Sequence, residues 1–125
     1  MPSPISNIVF DCADPMALAE FWATAVGYQK AHMAPYFSVL APPAEGDGPR
    51  LFFQQAPEAK AGKNRVHVDL DLGDMAAAVE RLTGLGARTI RAYAEHNFTW
   101  TVMADPEGNE FCVSGGPITA AGPGL

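Results

Sequence analysis

The stretch 65–74 reads as a strand with two unlike faces, Val66, Val68, Leu70 and Leu72 on one side and His67, Asp69 and Asp71 on the other. Successive side chains leave a pleated backbone on opposite faces, so this pattern predicts a half-buried strand. Asp74 then stands at the N-cap position ahead of Met75, Ala78, Val79 and Leu82, whose i, i+3, i+4, i+7 spacing makes one helical face. The pattern predicts a strand running directly into an amphipathic helix.

The same arrangement occurs earlier in the chain. With Asp14 laid on Asp74, residues 5–14 repeat residues 65–74, so that Asn7 falls on His67, Val9 on Asp69 and Asp11 on Asp71. Pro15 follows at the favoured first helical position, and Leu18, Phe21, Trp22 and Ala25 supply the apolar face, which reads as core. Each helix is expected to stop at a glycine, Gly27 after Val26 and Gly86 after Leu85. Two strand–helix–glycine units indicate a duplicated module.

Further short strands are expected over residues 36–40 and 51–55 in the first half, and over 87–92, 99–103 and 110–113 in the second. Residues 41–49, rich in Pro, Gly and acids, read as an exposed loop, and residues 93–98 as a loop carrying His96. Asp105-Pro106-Glu107-Gly108-Asn109 has the chemistry of a hairpin turn. The polar stretch 56–63 makes a natural hinge between the modules, and the Gly-, Pro- and Ala-rich residues 115–125 are expected to fray.

Composition narrows the function classes. A chain of 125 residues with 48% hydrophobic content can build a substantial core, and its net charge of -6 argues against nucleic acid or anionic membrane surfaces as partners. The one basic cluster, Lys60, Lys63 and Arg65, reads as a solvated linker in preference to a phosphate or carboxylate clamp. No apolar run approaches the ~20 residues that cross a bilayer, and Met-Pro-Ser-Pro lacks the regions of a signal peptide, so a cytoplasmic location is expected. Cys12 and Cys112 fall on different rows of their strands and are not expected to pair.

The helix that begins Asp-Pro and carries Phe21-Trp22 resembles a known pattern, as do the stretch Lys63-Asn64-Arg65-Val66-His67-Val68-Asp69-Leu70 and the closing Asp105-Pro106-Glu107-Gly108-Asn109-Glu110-Phe111. Together they resemble the glyoxalase-like branch of the vicinal oxygen chelate superfamily, over nearly the whole chain. The resemblance implies an α+β fold of two tandem βαβββ modules whose curved mixed sheets surround a cleft. It implies a single domain over residues 1–114, with modules at about 5–56 and 64–114, ahead of a flexible tail at 115–125. A homodimer is also implied, since relatives commonly pair modules across chains.

In the metalloenzymes of that superfamily the ion is held on the first and last strands of each module, usually by His or Glu. The corresponding positions here are Asn7 and His67 on the first strands and Gln54 and Cys112 on the last, and only His67 matches. Neutral amides are weak ligands for transition metals, so no cofactor is expected. A divalent metal is the lesser alternative, with His67, Cys112, Gln54 and Asn7 as its candidate ligands and Asp69 or Glu110 as further donors.

Without a metal, His67 becomes the candidate general base, because imidazole titrates nearest working pH. Asn7, Phe52, Gln54, Asp69, Trp100, Glu110 and Cys112 are the candidate cleft residues, with Trp100 either core or a wall on which a ligand stacks. No Ser-His-Asp constellation, glycine-rich phosphate loop or CxxC motif is present. Whether the protein is an enzyme stays open. One reading is a glyoxalase-like small-molecule binder acting as a lyase or isomerase by proton transfer next to a carbonyl. The other is a non-catalytic sequestering protein of the bleomycin-resistance type, and a metal-dependent dioxygenase ranks below both.

Overall fold

The computed structural model describes residues 4–117. The chain divides into two compact units, Met1–Lys60 and Ala61–Leu125, so the division falls within the expected hinge. Among the described residues the two units carry two helices and two mixed four-stranded sheets, an α+β architecture.

The first unit runs β1 (Asn7–Cys12), α1 (Pro15–Val26), β2 (Gln29–Met33), β3 (Phe37–Ala41) and β4 (Arg50–Gln55). Its sheet has the order β1-β4-β3-β2, with β1 parallel to β4 and the other pairs antiparallel. The Asp14 carboxylate accepts the Ala17 N–H at 3.1 Å, which satisfies a donor the helix cannot satisfy itself. At the other end Gly27 turns left-handed at φ 73° and its N–H closes on the Ala23 carbonyl. Leu18, Phe21, Trp22 and Ala25 are buried as the spacing predicts. Trp22 lies 5.3 Å from Phe10, which in turn stacks 4.9 Å from Phe53, so one aromatic column joins helix to sheet. Truncating Trp22 to alanine would cost ~3–5 kcal/mol.

The second unit runs β5 (Asp69–Leu70), α2 (Met75–Gly84), β6 (Arg88–Glu95), β7 (Phe98–Ala104) and β8 (Glu110–Pro117). Its order, β5-β8-β7-β6, repeats that of the first sheet, with β5 parallel to β8. Asp74 caps α2 by accepting the Ala77 N–H at 3.0 Å, and Ala78 and Leu82 bury the helix face. Met103, Phe111 and Val113 form the apolar side of the sheet. Between β7 and β8, Asp105 is 2% exposed, and its carboxylate accepts the backbone N–H groups of Glu107 and Asn109 and the Asn109 side-chain amide. The expected hairpin turn is thus held by a buried charge with its hydrogen bonds satisfied.

Several expectations need correction. The strand expected over 65–74 contracts to two residues, and Val66 of its apolar row is 83% exposed. Upstream, Asn64 is tied to Glu110 by its side chain and backbone N–H; downstream, Asp71 accepts the Gly73 N–H and the chain turns. Ladder bonds are therefore replaced by side-chain bonds on both flanks. β2 was not expected at all, because Gln-Lys-Ala-His-Met does not alternate; it is an exposed edge strand with a register shift between Lys30 and His32. α2 ends at Gly84, one residue early. The expected loop around His96 is a two-residue turn in which His96 and Asn97 take φ of 52° and 71°, so β6 extends to Glu95. β8 continues to Pro117, three residues into the expected tail, and the rest of that tail lies outside the described residues.

Candidate functional site

The face of the second sheet opposite α2 carries a pocket of about 190 Å³ lined by Lys63, His67, Tyr93, Trp100, Val102, Glu110 and Cys112. Three of the expected cleft residues, Trp100, Glu110 and Cys112, therefore meet here with the candidate base His67, and Asp69 joins them through His67. Period two explains the grouping: Trp100 and Val102 share one side of β7, and Glu110 and Cys112 share one side of β8. Thr101, Met103 and Phe111 turn to the other side and are buried.

Tyr93 stacks on Trp100 at 5.1 Å with ring planes 10° apart, and the two are register partners across β6 and β7. The Arg91 guanidinium lies 4.9 Å from the Tyr93 ring centre. Trp100 is half-buried, which places it as a wall of the pocket. Tyr93 was missed in the sequence because residues 93–98 read as loop; taking His96-Asn97 as a tight turn would have set Tyr93 opposite Trp100. Lys63, assigned above to a solvated linker, is part of the pocket lining.

His67 Nε2 lies 3.2 Å from Asp69 Oδ1. Asp69 is also the register partner of Cys112 across the parallel β5–β8 pair, and the Cys112 thiol hydrogen-bonds to its carboxylate. Burial raises the thiol's pKa, and the Asp69 charge and hydrogen bond raise it further, while Lys63 pulls the other way. Cys112 is consequently a protonated, weakly nucleophilic thiol at neutral pH. Among the described residues no disulfide joins it to Cys12.

In the first unit, Phe52 and Gln54 share the sheet face opposite α1. Phe52 stacks on Phe37 at 5.2 Å, and Phe37 stacks on His32 at 4.5 Å. Gln54 Nε2 donates to Asp11 Oδ1 at 2.7 Å. Asn7, however, pairs with Arg50, whereas Gln54 pairs with Asp11 four positions along the strand. At ~3.3 Å per residue this separates Asn7 from Gln54 by roughly 13 Å of strand, so the structure does not bring those two together.

The repeat also shifts. Matching Gln54 to Cys112 in the two ladders sets Asp11 on Asp69, where the sequence overlay set it on Asp71. The second module has a longer connection between strand and helix, built by the Asp71 to Gly73 turn, and it absorbs the difference.

One ligand atom from each of His67, Asp69 and Cys112 lies within 4.8 Å of the others. An imidazole, a carboxylate and a thiol are a donor set that fits a borderline-soft divalent ion. Asn7 and Gln54, being neutral amides, add no such donors.

Paired βαβββ units, each with a parallel first and last strand and an open face walled by aromatic residues, define a protein of the vicinal oxygen chelate superfamily. Residues 7–114 match the glyoxalase-like domain model, and the chain belongs to that family. No curated protein sequence matches it. Among solved structures it is similar to a glyoxalase/bleomycin resistance protein/dioxygenase family enzyme from Burkholderia phytofirmans, at 20% identity and a TM-score of 0.69, covering 90% of this chain and 98% of that one. It is also similar to the bleomycin-binding protein of Streptomyces verticillus, at 17% identity, TM-score 0.63 and coverage of 93% and 99%. The fosfomycin resistance protein FosX of Mesorhizobium loti is 16% identical, with a TM-score of 0.70 and coverage of 94% and 96%. Likeness at this identity is likeness of fold, and the chemistry must come from the site.

Proposed function

We propose that the second-module pocket binds a small carbonyl compound and moves a proton on the carbon next to the carbonyl, as a lyase or isomerase would. The observation that carries this reading is the His67–Asp69 contact beside the aromatic-walled pocket that His67 lines. An Nε2–H donated to Asp69 leaves Nδ1 as the acceptor nitrogen, the tautomer a general base needs. The substrate C–H proton passes to Nδ1 and its electron pair moves onto the carbonyl oxygen. The Lys63 ammonium, in the same lining, favours that developing negative charge. Return of the proton to a neighbouring atom gives an isomer; expulsion of a leaving group gives lyase chemistry.

A sequestering role is the second reading, favoured by a different observation: the stacked Tyr93–Trp100 pair beside the Glu110 and Asp69 carboxylates suits a planar cation. The relative from Streptomyces verticillus, whose structure holds copper-bleomycin, supports it. The two readings separate in heavy water. Small carbonyl compounds that bind should exchange the hydrogen next to the carbonyl for deuterium by NMR, and His67→Ala should slow that exchange ~10²- to 10⁴-fold with little change in affinity. Binding without exchange in the unaltered protein would leave sequestration standing and sink proton transfer.

The working form we propose is a cytoplasmic homodimer. Two thiols not joined by a disulfide suit a reducing compartment. Val9, Tyr36 and Phe37 of the first unit are 53%, 77% and 39% exposed, which is apolar surface for another unit to cover. Among the described residues no helix is long and apolar enough to cross a membrane.

A further inference from the structure

Two anchor points tie residues 64–68 to β8. At the first, the Asn64 backbone N–H donates to Glu110 Oε1 at 2.7 Å, and the Asn64 side-chain amide donates to the Glu110 carbonyl at 3.1 Å. At the second, the Cys112 N–H donates to the Val68 carbonyl at 3.0 Å. The anchors are two residues apart on β8, ~7 Å at the rise of a strand, whereas residues 64 to 68 would span ~13 Å if extended. The chain between them must arch, and Val66 at its crest is 83% exposed.

The first module supplies the contrast within the same chain. With Asp11 laid on Asp69, Ser6 falls on Asn64, Val9 on His67 and Phe52 on Glu110. There the ladder is unbroken: the Ser6 carbonyl accepts the Arg50 N–H, and Val9 pairs with Phe52. Asn64 is instead bonded two residues further along its partner strand than Ser6 is, because Glu110 offers a carboxylate where Phe52 offers a ring. Lys63 and His67 stand at the two feet of the resulting arch, and both line the pocket. In an extended strand the same two residues would lie ~13 Å apart.

We propose that Asn64 is the positioning residue of this pocket, acting through Glu110: their clasp shortens the strand into an arch, and the arch sets the Lys63 ammonium and the His67 imidazole in one pocket facing the Trp100 wall. Asn64 is outside the lining, so its effect reaches a ligand only through its neighbours. Glu110 is the strut, and its bond to the Asn64 N–H is charge-assisted, the stronger of the two. The kinetic consequence of the clasp rests on the function proposed above, whereas its hold on the arch and on His67 does not.

Three variants of the full chain separate the bonds. Asn64→Ala removes the amide donor, Glu110→Ala removes the acceptor of the backbone N–H, and Glu110→Gln keeps an acceptor oxygen there. With no substrate present, trypsin should cut after Arg65, beside the crest, ~3- to 10-fold faster in Asn64→Ala and about 10-fold or more faster in Glu110→Ala, the equivalents of one neutral and one charged hydrogen bond. Glu110→Gln should fall between Glu110→Ala and the parent. By NMR the His67 ring signals, assigned with His67→Ala, should move in Asn64→Ala toward those of an unfolded-chain histidine, while the His96 ring and the Trp100 indole stay in place. Deuterium exchange into phenylacetone should fall ~10- to 10²-fold in kcat with KM little changed, because the base is misplaced and the aromatic wall is intact. Unchanged cleavage in both alanine variants, an unmoved His67 ring in Asn64→Ala, a Glu110→Gln chain as open as Glu110→Ala, or exchange by Asn64→Ala at the parent's rate overturns the proposal. If Glu110→Ala does not fold by circular dichroism, Asn64→Ala and Glu110→Gln decide. A parent that exchanges nothing would count against the proposed function alone, and trypsin and the His67 ring would still decide the clasp.

Discussion

Thr99 Oγ1 stands 2.1 Å from where a Cβ on Gly115 would lie, so the two residues fit only because position 115 has no side chain. Gly115 is the extra residue of a bulge: Thr99 pairs with Gly116 and Trp100 with Ser114, which leaves Gly115 without a register partner. The bulge sits directly beside Trp100 and so helps set the pocket wall. Met75 of α2 closes the other side, its sulfur 2.8 Å from the same point.

Gly115→Ala should therefore destabilise the protein by ~1–3 kcal/mol, the usual cost of forcing atoms into a packed site. Thr99→Ala in the same chain should restore part of the loss, because it removes the clash with Thr99 and leaves the one with the flexible Met75 side chain. Urea denaturation of the four proteins measures this. Equal stability of Gly115→Ala and the parent would contradict the packing described.

How much of this was legible beforehand depends on whether a residue's role was decided locally. Asp14, Pro15 and Gly27 announce α1 because capping and φ preference act within one turn, and Leu18, Phe21 and Trp22 declare their face by spacing alone. The module repeat and its family pattern were legible for the same reason. The His67–Asp69 pairing needed only period two. What was not legible depended on pairing across strands. Tyr93 became a wall residue through Trp100, Lys63 joined the pocket through the fold, and the Asn7 and Gln54 positions came apart through the β1–β4 register. The Arg65 to Val68 stretch alternates like a strand, yet the Asn64–Glu110 bonds hold its start outside the ladder.

Cys112 gives a pH dependence of definite sign. An unfolded thiol ionises near its ordinary value of ~8.5, whereas burial and Asp69 hold the folded one higher. The folded state keeps its proton longer, so its stability is intact below the ordinary value and declines as pH rises from there through the folded value. In metal-free protein, Cys112→Ser should lose less stability than the parent between neutral and alkaline pH. Peptide-resolved alkylation should show Cys112 reacting only at alkaline pH, with Asp69→Asn moving the profile downward. A Cys112 that alkylates fully at neutral pH in folded protein would refute this.

For the homodimer, the expectation is a species of twice the 13.3 kDa chain mass by light scattering at low micromolar concentration. If the exposed aromatic face of the first unit is what the partner covers, Phe37→Asp should shift the protein toward the single chain while leaving circular dichroism unchanged. A single-chain mass for the unaltered protein would remove the proposal, and an unaffected dimer in Phe37→Asp would move the interface elsewhere.

The two tryptophans make the pocket directly observable. Trp22 is 1% exposed and packed against Phe10 and Phe21, whereas Trp100 is half-buried with one face on Tyr93 and a place in the pocket lining. Acrylamide should thus quench two populations, one reachable and one protected, and Trp100→Phe should remove the reachable one. Any ligand that enters the pocket should protect the same population. Stacking against such a ring contributes ~0.5–1.5 kcal/mol beyond area burial, so Trp100→Leu should weaken a planar ligand by up to about 10-fold. Lys63→Met should instead weaken anionic ligands and leave cationic ones unharmed, because it removes the ammonium from the pocket lining. Uniform quenching of both tryptophans, or ligand protection that survives in Trp100→Phe, would show that the Tyr93–Trp100 wall is not where the ligand sits.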